Sequence, residues 1–245
     1  MPRKKPRTET HYSELPPVQK HRRESHKNYS YFPPKEQAHQ LGIYRIGQSF
    51  NEKTKILEIG AGSGRLAQHL LKNTKLKPEN YELFDAEYGD HLPWLKRKIY
   101  SLSRQNKLKL TQGDMWNHKF PKNVYSHIFI PNAFFPDVQK DRELYSELII
   151  KAREGKLEKS LAADLIGYKD CLFLQELLNN LLPSLKSNGT IRVSHIDPAT
   201  TEYAVKNAKH FFPKVKVSLG GSLPVYGAKP HVLIFKKLPF ARKPN

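Results

Sequence analysis

From residue 54 onward, the chain alternates between two kinds of segment. Short apolar runs, which are typical of buried strands, predict strands at 55–59, 80–85, 107–112, 124–131, 189–195, 213–219 and 230–236. The longer segments between them predict helices at 64–73, 91–104, 138–155, 160–183 and 198–211. Strands that alternate with helices over such a length indicate a parallel sheet that carries helices on both faces.

The connection between the last two predicted strands is too short for a crossover helix. Residues 219–229 read Leu-Gly-Gly-Ser-Leu-Pro-Val-Tyr-Gly-Ala-Lys, whereas a parallel return needs about a dozen residues or more. The seventh strand is therefore predicted to run antiparallel to the sixth. The predicted fold class is α/β, a seven-stranded, mostly parallel Rossmann-like sheet with an antiparallel last strand and helices on both faces.

The rest of the chain divides into a basic tail and two helical segments. Residues 1–30 carry eight Lys or Arg, three Glu and few aliphatic side chains, so they are predicted to be disordered when free. Such a tail is compatible with a nuclear localisation signal, with an arm that binds nucleic acid, or with a solvated tail that has no specific role. A helix is predicted at about 35–50. The main domain is placed at 31–240, with a helical insertion at about 136–165 that caps the edge carrying the site.

The net charge of +19 indicates the class of partner. Excess positive charge attracts polyanions and speeds their encounter, and it argues against basic substrates such as histone tails. We therefore expect nucleic acid as the partner, RNA before DNA.

Composition also bears on location. No apolar run approaches the ~18–20 residues that span a membrane, and no secretory segment follows Met1. The single cysteine, Cys171, fits a reducing compartment. A cytoplasmic or nuclear location is expected, without secretion or membrane association, and the oligomeric state stays open.

The first predicted strand runs directly into the sequence Gly60-x-Gly62-x-Gly64. Glycines suit this place because the strand must turn sharply into a helix while its backbone lies against a ligand. A dinucleotide fingerprint would have its third glycine where Arg65 stands, and a phosphate-binding P-loop would need Gly-Lys-Ser/Thr. The spacing therefore favours a different small-molecule cofactor site. The alternative is a glycine-rich turn that only closes the fold.

This loop and the predicted sheet resemble those of the class I S-adenosylmethionine-dependent methyltransferases, over about residues 35–237. The family's acidic-x-G-x-G-x-G motif is matched by Glu58, Gly60, Gly62 and Gly64. The resemblance implies that S-adenosylmethionine is the cofactor and that the loop, including Ala61, packs on its methionine part. It also implies that Glu58 either holds the amino group indirectly or orients the loop.

Acidic residues at two later strand ends fit the same family. Asp85 ends the second predicted strand, where the resemblance implies a carboxylate that accepts both ribose hydroxyls, with Glu87 as substitute if the strand runs longer. Asp114 follows the third strand and is implied to contact the adenine amino group, with the Met115 N–H on the ring and Trp116 stacked against it. Each carboxylate alone is equally well explained as a surface turn residue, but their joint placement favours the cofactor site.

The segment after the fourth predicted strand reads Asn132-Ala133-Phe134-Phe135-Pro136. Family members that methylate amino groups of nucleic acids carry Asp/Asn/Ser-Pro-Pro-aromatic here. The resemblance implies that Asn132 accepts a hydrogen bond from the target amine and that Phe135 stacks on the base, usually flipped out of its helix. Ala133 and Phe134 replace both prolines, so the rigidity of that motif is lost. A loop of buried phenylalanines beneath the cap is the alternative.

Other catalytic chemistry is less favoured. Cys171 lies in an apolar helical stretch and is predicted to be a core residue, not a nucleophile. The eleven histidines show no zinc spacing, so no metal site is predicted. His195 and Asp197, near the end of the fifth strand, rank below Asn132 as residues that face the substrate.

Together these features predict an enzyme, an S-adenosylmethionine-dependent methyltransferase that acts on a nucleic-acid base, with RNA favoured. Two alternatives stay open. One is methylation of a protein or small molecule, because the acceptor pocket is the family's most variable region. The other is a non-catalytic, methyltransferase-like module that binds RNA.

Overall fold

The structure is a computed structural model, and it describes most of the chain after the basic tail. The described residues are 50–61, 64–85, 101, 104–105, 108–131, 138–196, 198–222 and 231–239. The chain divides into two units, residues 1–38 and 39–245, and every described residue belongs to the second. The predicted tail at 1–30 and, apart from Phe50, the predicted helix at 35–50 lie outside the described residues.

The described residues contain one seven-stranded sheet with the strand order β3-β2-β1-β4-β5-β7-β6. The strands are β1 Ile56–Ile59, β2 Tyr81–Asp85, β3 Lys109–Gln112, β4 Tyr125–Ile130, β5 Leu185–Ile196, β6 Val215–Ser222 and β7 His231–Lys237. β1 pairs in parallel with both β2 and β4, and further parallel pairs join β2 to β3 and β4 to β5. β7 pairs antiparallel with both β5 and β6. The predicted fold class and the antiparallel last strand are confirmed.

Five α-helices are described with both of their ends. They are α1 Arg65–Asn73, α2 Val138–Arg153, α3 Lys159–Leu181, α4 Pro198–Lys206 and α5 Ala208–Phe211, with 3-10 turns at Pro78–Asn80 and Leu182–Ser184. Of the helix predicted at 91–104, only residues 101 and 104 are described, and both are helical. The predicted insertion at 136–165 contains α2 and the start of α3, and its capping role stays a prediction.

Two boundaries differ from the predictions. The helix predicted at 198–211 is divided at Asn207, whose side-chain amide donates to the carbonyl of Tyr203 at 3.0 Å and so competes with regular helical bonding. β5 begins at Leu185, four residues before the predicted start at 189, because Leu185 already pairs with Tyr125 of β4 and pairing resumes at Thr190 after an irregular stretch. Asn188, with φ 62°, adopts the left-handed conformation within this irregular stretch.

Helices pack on both faces of the sheet because its strands alternate apolar side chains between two cores. On one face, β1, β4 and β5 present residues such as Leu57 and Ile191 to α3, whose Leu174 and Leu177 are fully buried. On the other face, Ile56 and its neighbours pack against α1. The site described below lies where these two layers reach the carboxyl ends of the parallel strands.

The crossing of α3 and α4 depends on a glycine. A Cβ added at Gly167 would lie 2.5 Å from the Cβ of Tyr203, closer than two carbons can approach. Replacement Gly167→Ala should therefore lower the free energy of unfolding by about 1–3 kcal/mol, although alanine is the better helix former by about 1 kcal/mol. Urea denaturation measures this change. Asp164→Ala, at an exposed position of the same helix, is the control, and equal stability of the two variants would contradict the steric argument.

Candidate cofactor site

Three of the predicted segments meet at one edge of the sheet, where β1, β2 and β3 end. The N–H of Gly60 donates to the carbonyl of Phe84 at 2.8 Å, which places the loop after β1 beside the end of β2. The N–H of Gly113 donates to the carbonyl of Asp85 at 3.1 Å, which places the segment after β3 on its other side. We call this side of the sheet the carboxyl edge. In open α/β sheets, ligands bind in the crevice outside this edge.

The loop after β1 needs glycine at two described positions. Gly60 and Gly64 both have φ 69°, a left-handed conformation that costs L-residues energy because of their Cβ. The N–H of Gly64 donates to the carbonyl of Ala61 at 2.8 Å and closes the turn. Gly64 is also the N-cap residue of α1 and makes no side-chain cap. Of the N–H groups in the first turn of α1, that of Ala67 donates to the carboxylate of Glu58, and the start of the helix, without a capping side chain from Gly64, suits a polar ligand.

Glu58 is the buried support of this loop. Its side chain is 1% exposed, and it accepts a hydrogen bond from the Tyr81 hydroxyl at 2.6 Å. The backbone N–H of Ala67, in the first turn of α1, also donates to its carboxylate. These contacts tie the end of β1 to β2 and to the start of α1. Of the two roles implied for Glu58, they favour the one in which it orients the loop.

The environment of Glu58 raises the pKa of its carboxyl group to about 8. Burial is the main cause, since desolvation disfavours the charged form. The hydrogen bond from Tyr81 lowers the pKa, the charge of Asp85 raises it and the N–H of Ala67 lowers it. Glu58 is consequently protonated to a large extent at neutral pH.

The two other carboxylates differ in their surroundings. Asp85 is half-buried at the end of β2. Asp114 is exposed and organises its own turn, because it accepts the N–H of Trp116 at 3.0 Å and the side-chain amide of Asn117 at 2.6 Å. Each carboxylate oxygen has a second lone pair, so this turn is compatible with an additional bond to a ligand.

The residues after Asp114 are anchored to α3. The ring of Trp116 meets that of Phe173 edge-on, with 4.7 Å between the ring centroids. The side-chain amide of Asn180 donates to the carbonyl of Met115. Met115 and Trp116 are both half-buried. The contacts hold this segment in place, while the stacking of Trp116 on adenine stays a prediction.

Several predicted site residues lie outside the described residues, namely Gly62, Glu87, Asn132, Phe135 and Asp197. β4 ends beside β1 at the carboxyl edge, and the Ser194 hydroxyl of β5 donates to the carbonyl of Pro131. Pro131 therefore lies at the carboxyl edge, between the ends of β1 and β5.

Sequence reasoning missed Tyr81. Tyr81 stands in an apolar strand, and composition alone gives it the character of an ordinary core residue. In the register of β1 and β2, Tyr81 is paired with Ile56, and Glu58 is paired with Leu83. Tyr81 and Glu58 are therefore diagonal neighbours on the two strands, and this brings the Tyr81 hydroxyl to Glu58. A buried tyrosine usually finds a hydrogen-bond partner, which is the one signal that could have indicated it.

Cys171 is a core residue, as predicted. Its side chain is fully buried on α3, and burial, with a smaller effect of the charge of Asp170, raises the pKa of the thiol to about 12. A thiol in this state is a poor nucleophile. Within the described ranges, no group of three His, Cys, Asp or Glu residues could hold a metal ion. The helices of those ranges include none that is long and apolar enough to cross a membrane.

The strand order, the antiparallel β7 and the glycine loop after β1 together define the fold of the class I S-adenosylmethionine-dependent methyltransferases. Solved structures of such proteins have the same fold, so the resemblance predicted from the sequence is confirmed at this level. No protein-family model matches the sequence, and no curated protein matches it.

Three of these structures illustrate the likeness. A candidate S-adenosyl-L-methionine-dependent methyltransferase from Methanococcus maripaludis is 12% identical, covers 91% of this chain and 94% of its own, and has a TM-score of 0.51. A chain from the complex of the Haloferax volcanii Trm112 methyltransferase activator with a candidate methyltransferase is 12% identical, over 83% and 90%, with a TM-score of 0.51. The N-methyltransferase NodS of Bradyrhizobium japonicum is 11% identical, over 84% and 98%, with a TM-score of 0.50.

Proposed function

We propose that the protein is an S-adenosylmethionine-dependent methyltransferase. The observation that carries this proposal is the loop at Gly60 and Gly64, whose left-handed glycines are supported from below by the buried Glu58. A loop that merely closed the fold would not need a backbone shaped for close approach of a ligand. The half-buried carboxylate of Asp85 beside it supplies a second polar contact.

The residues present fit the cofactor. Gly60, Ala61, Gly62 and Gly64 would lie against its methionine part, Asp85 would accept the ribose hydroxyls, and Asp114 with the Met115 N–H would hold the adenine. When bound, the cofactor supplies a methyl group that its sulfonium already activates. The protein then has mainly to align the acceptor, and such positioning accounts for up to ~7–11 kcal/mol of a barrier in well-oriented models.

A nucleic-acid base is the acceptor that we propose, in RNA before DNA. The net charge of +19 supports a polyanionic substrate. Asn132 would accept a hydrogen bond from an exocyclic amine, and Phe135 would stack on the base. No strong general base is required on this account, because the amine loses its proton only after the methyl group has been transferred.

The role of Asn132 is tested by Asn132→Ala. Loss of one orienting hydrogen bond should lower the rate of methyl transfer roughly 10- to 100-fold, with cofactor affinity unchanged. Radioactive methyl incorporation into RNA measures the rate, and calorimetry measures the affinity. Asn179→Ala, at an exposed position of α3, is the control. An undiminished rate in the Asn132 variant would reject its proposed role.

The class of acceptor is tested in a cell lysate labelled with radioactive cofactor. Ribonuclease should abolish the labelling, while deoxyribonuclease and protease leave it intact. Labelling that only protease removes would instead indicate a protein acceptor. Mass spectrometry of nucleosides from cells with and without the protein then identifies the modified base.

A non-catalytic module that binds RNA is the second candidate, favoured only by the charge. It predicts salt-sensitive RNA affinity without cofactor binding. The glycine loop and the carboxylates beside it support the enzyme instead. With a single cysteine in the chain, we propose a cytoplasmic or nuclear site of action.

A further inference from the structure

The edge of the sheet opposite the carboxyl edge carries a row of lysines. Parallel strands β1, β4, β5 and β6 start at this opposite edge, and the antiparallel β7 ends there. In spatial order from β1 to β6, the row consists of Lys55, Lys122, Lys186, Lys236, Lys214 and Lys216. We call these six residues the lysine edge. Lys186 is half-buried and the other five are exposed.

Backbone contacts confirm that these lysines belong to neighbouring strand ends. The N–H of Ser126, in β4, donates to the carbonyl of Lys55 at 2.8 Å. The N–H of Leu238, just after β7, donates to the carbonyl of Lys214 at 3.1 Å. The row therefore continues from strand to strand across this edge.

The charge of the lysine edge is not balanced by nearby carboxylates. The segments that form it, 119–125, 182–190, 212–217 and 236–239, contain no Asp or Glu. Among the described residues, two carboxylates lie near the row, and each is already ion-paired. Glu52, just before β1, pairs with Lys77 at 2.8 Å, and Glu82, which accepts from the Tyr125 hydroxyl, pairs with Lys109 at 2.9 Å. Lys237 is excluded from the row because it is buried and donates to the carbonyls of Leu182 and Leu185.

Two of the lysines face each other directly. Lys216 of β6 is the cross-strand partner of Lys236 of β7, and like charges at directly opposed positions of an antiparallel pair destabilise it. Both side chains are exposed, so the core gains nothing from them. Folding alone therefore does not explain why two lysines stand opposite each other here. A bound anion would explain the pair, because its negative charge would remove the repulsion.

The size of the row indicates the kind of anion. It runs over five neighbouring strands, and four steps of about 4.8 Å give a length of about 19 Å. A single phosphate or carboxylate cannot bridge that length. A nucleic acid can, because its backbone presents charges every few ångströms.

We propose that the lysine edge binds the sugar–phosphate backbone of RNA. The aromatic side chains of the same segments, Phe120, Tyr125 and Phe212, are buried, so none of them offers a surface for base stacking. Contacts to phosphate position a nucleic acid but carry no sequence information. The edge thus holds RNA by charge at a place remote from the cofactor site. The choice of RNA as the bound nucleic acid rests on the proposed function, although RNA could bind to the lysine edge without any methyl transfer.

The test compares two triple variants of the full chain with the same loss of charge. In one, Lys122, Lys214 and Lys236 of the lysine edge are replaced by glutamine. In the other, Lys151, Lys156 and Lys159 are replaced, exposed residues at the junction of α2 and α3. Affinity for a fluorescently labelled single-stranded RNA is measured by anisotropy over a range of salt concentrations.

The edge variant should bind RNA roughly 10- to 100-fold more weakly at physiological salt, and the slope of log Kd against log salt should fall by about 2. The other variant should change Kd by less than about threefold, since two of its lysines, Lys151 and Lys156, are already ion-paired with Glu147 and Glu154. Single-stranded DNA of the same sequence should bind within a few-fold of RNA. Equal losses in both variants, or strong preference for one RNA sequence, would overturn the proposal. So would binding to phosphatidylserine vesicles that depends on the edge while RNA binding does not.

Calorimetry with S-adenosylmethionine separates this proposal from the proposed function. Both variants should bind the cofactor as the unmodified protein does, because the lysine edge lies away from the loop at Gly60. Circular dichroism melts establish that both variants fold. Absence of cofactor binding in the unmodified protein would count against the methyltransferase alone, and unchanged RNA affinity in the edge variant would count against the lysine edge alone.

Discussion

Replacement Glu58→Ala should lower the free energy of unfolding by about 3 kcal/mol and strongly weaken cofactor binding. The alanine removes the acceptor of both the Tyr81 hydroxyl and the Ala67 N–H and leaves a cavity beneath the glycine loop. The start of α1 is then no longer tied to β1 and β2. Urea denaturation and calorimetry measure the two effects.

Replacement Glu58→Gln is the matched control, and it isolates the effect of ionisation. Glutamine keeps the size of the side chain and an oxygen that accepts from Tyr81, so the fold and the loop should be retained. The native carboxyl group of Glu58 holds its proton up to a pH of about 8, because its pKa is raised from 4.5 to about 8. The unfolded chain releases that proton near pH 4.5.

Between these pH values the native state binds more protons, so stability of the unmodified protein falls as pH rises from about 4.5 to 8. The full fall from this one group is at most about 5 kcal/mol. The Glu58→Gln variant has no ionisable group at this position and lacks this fall. Its free energy of unfolding, relative to that of the unmodified protein, should therefore rise as the pH increases from about 4.5 to 8. Denaturation midpoints at pH 5, 6.5 and 8, chosen as about the start, middle and end of the range, measure the difference. A difference that stays constant with pH would contradict the assignment.

Replacement Asp85→Ala should weaken binding of S-adenosylmethionine roughly 10- to 100-fold with little change in stability. In its proposed role, Asp85 is a charged acceptor for the ribose hydroxyls, and hydrogen bonds to charged groups contribute about 1.5–3 kcal/mol. The backbone carbonyl of Asp85, which accepts from Gly113, remains in the variant. Calorimetric titration with the cofactor measures the affinity.

Asp85→Asn provides the comparison. Asparagine keeps one acceptor oxygen without the charge, and it should therefore bind the cofactor with intermediate affinity. Unchanged affinity in the alanine variant would remove Asp85 from the site. A loss of affinity that is accompanied by an equal loss of thermal stability would indicate a structural role instead.

Most of the strands were predictable because they are short segments rich in apolar residues that lie between turn residues. Six of the seven agree with the predictions to within three residues at both ends, and β5 departs by four at its start. The antiparallel pairing of β7 followed from the length of the 219–229 connection alone. The extension of β5 before residue 189 could not be predicted from the sequence. Asn188 and Gly189 are residue types that favour turns, and only the pairing with β4 makes this irregular stretch part of the strand.

The candidate cofactor site was predictable to a lesser degree. Asp85 and Gly60 lie at strand ends that the apolar pattern locates, so their convergence follows once the strand order is known. The anchoring of Met115 by Asn180 could not be anticipated, because the two residues are 65 positions apart. Likewise, no local pattern links Glu58 with Tyr81, which lies 23 positions away.

By itself, the sequence of this protein determined the alternation of strands and helices, the reversal of the last strand and the places that require glycine. These depend on periodicity and on backbone conformation, which are properties of neighbouring residues. The tertiary structure alone decided that Glu58 supports the loop and that six scattered lysines form one edge. Those features depend on strand order and register, which bring residues from distant parts of the chain into contact.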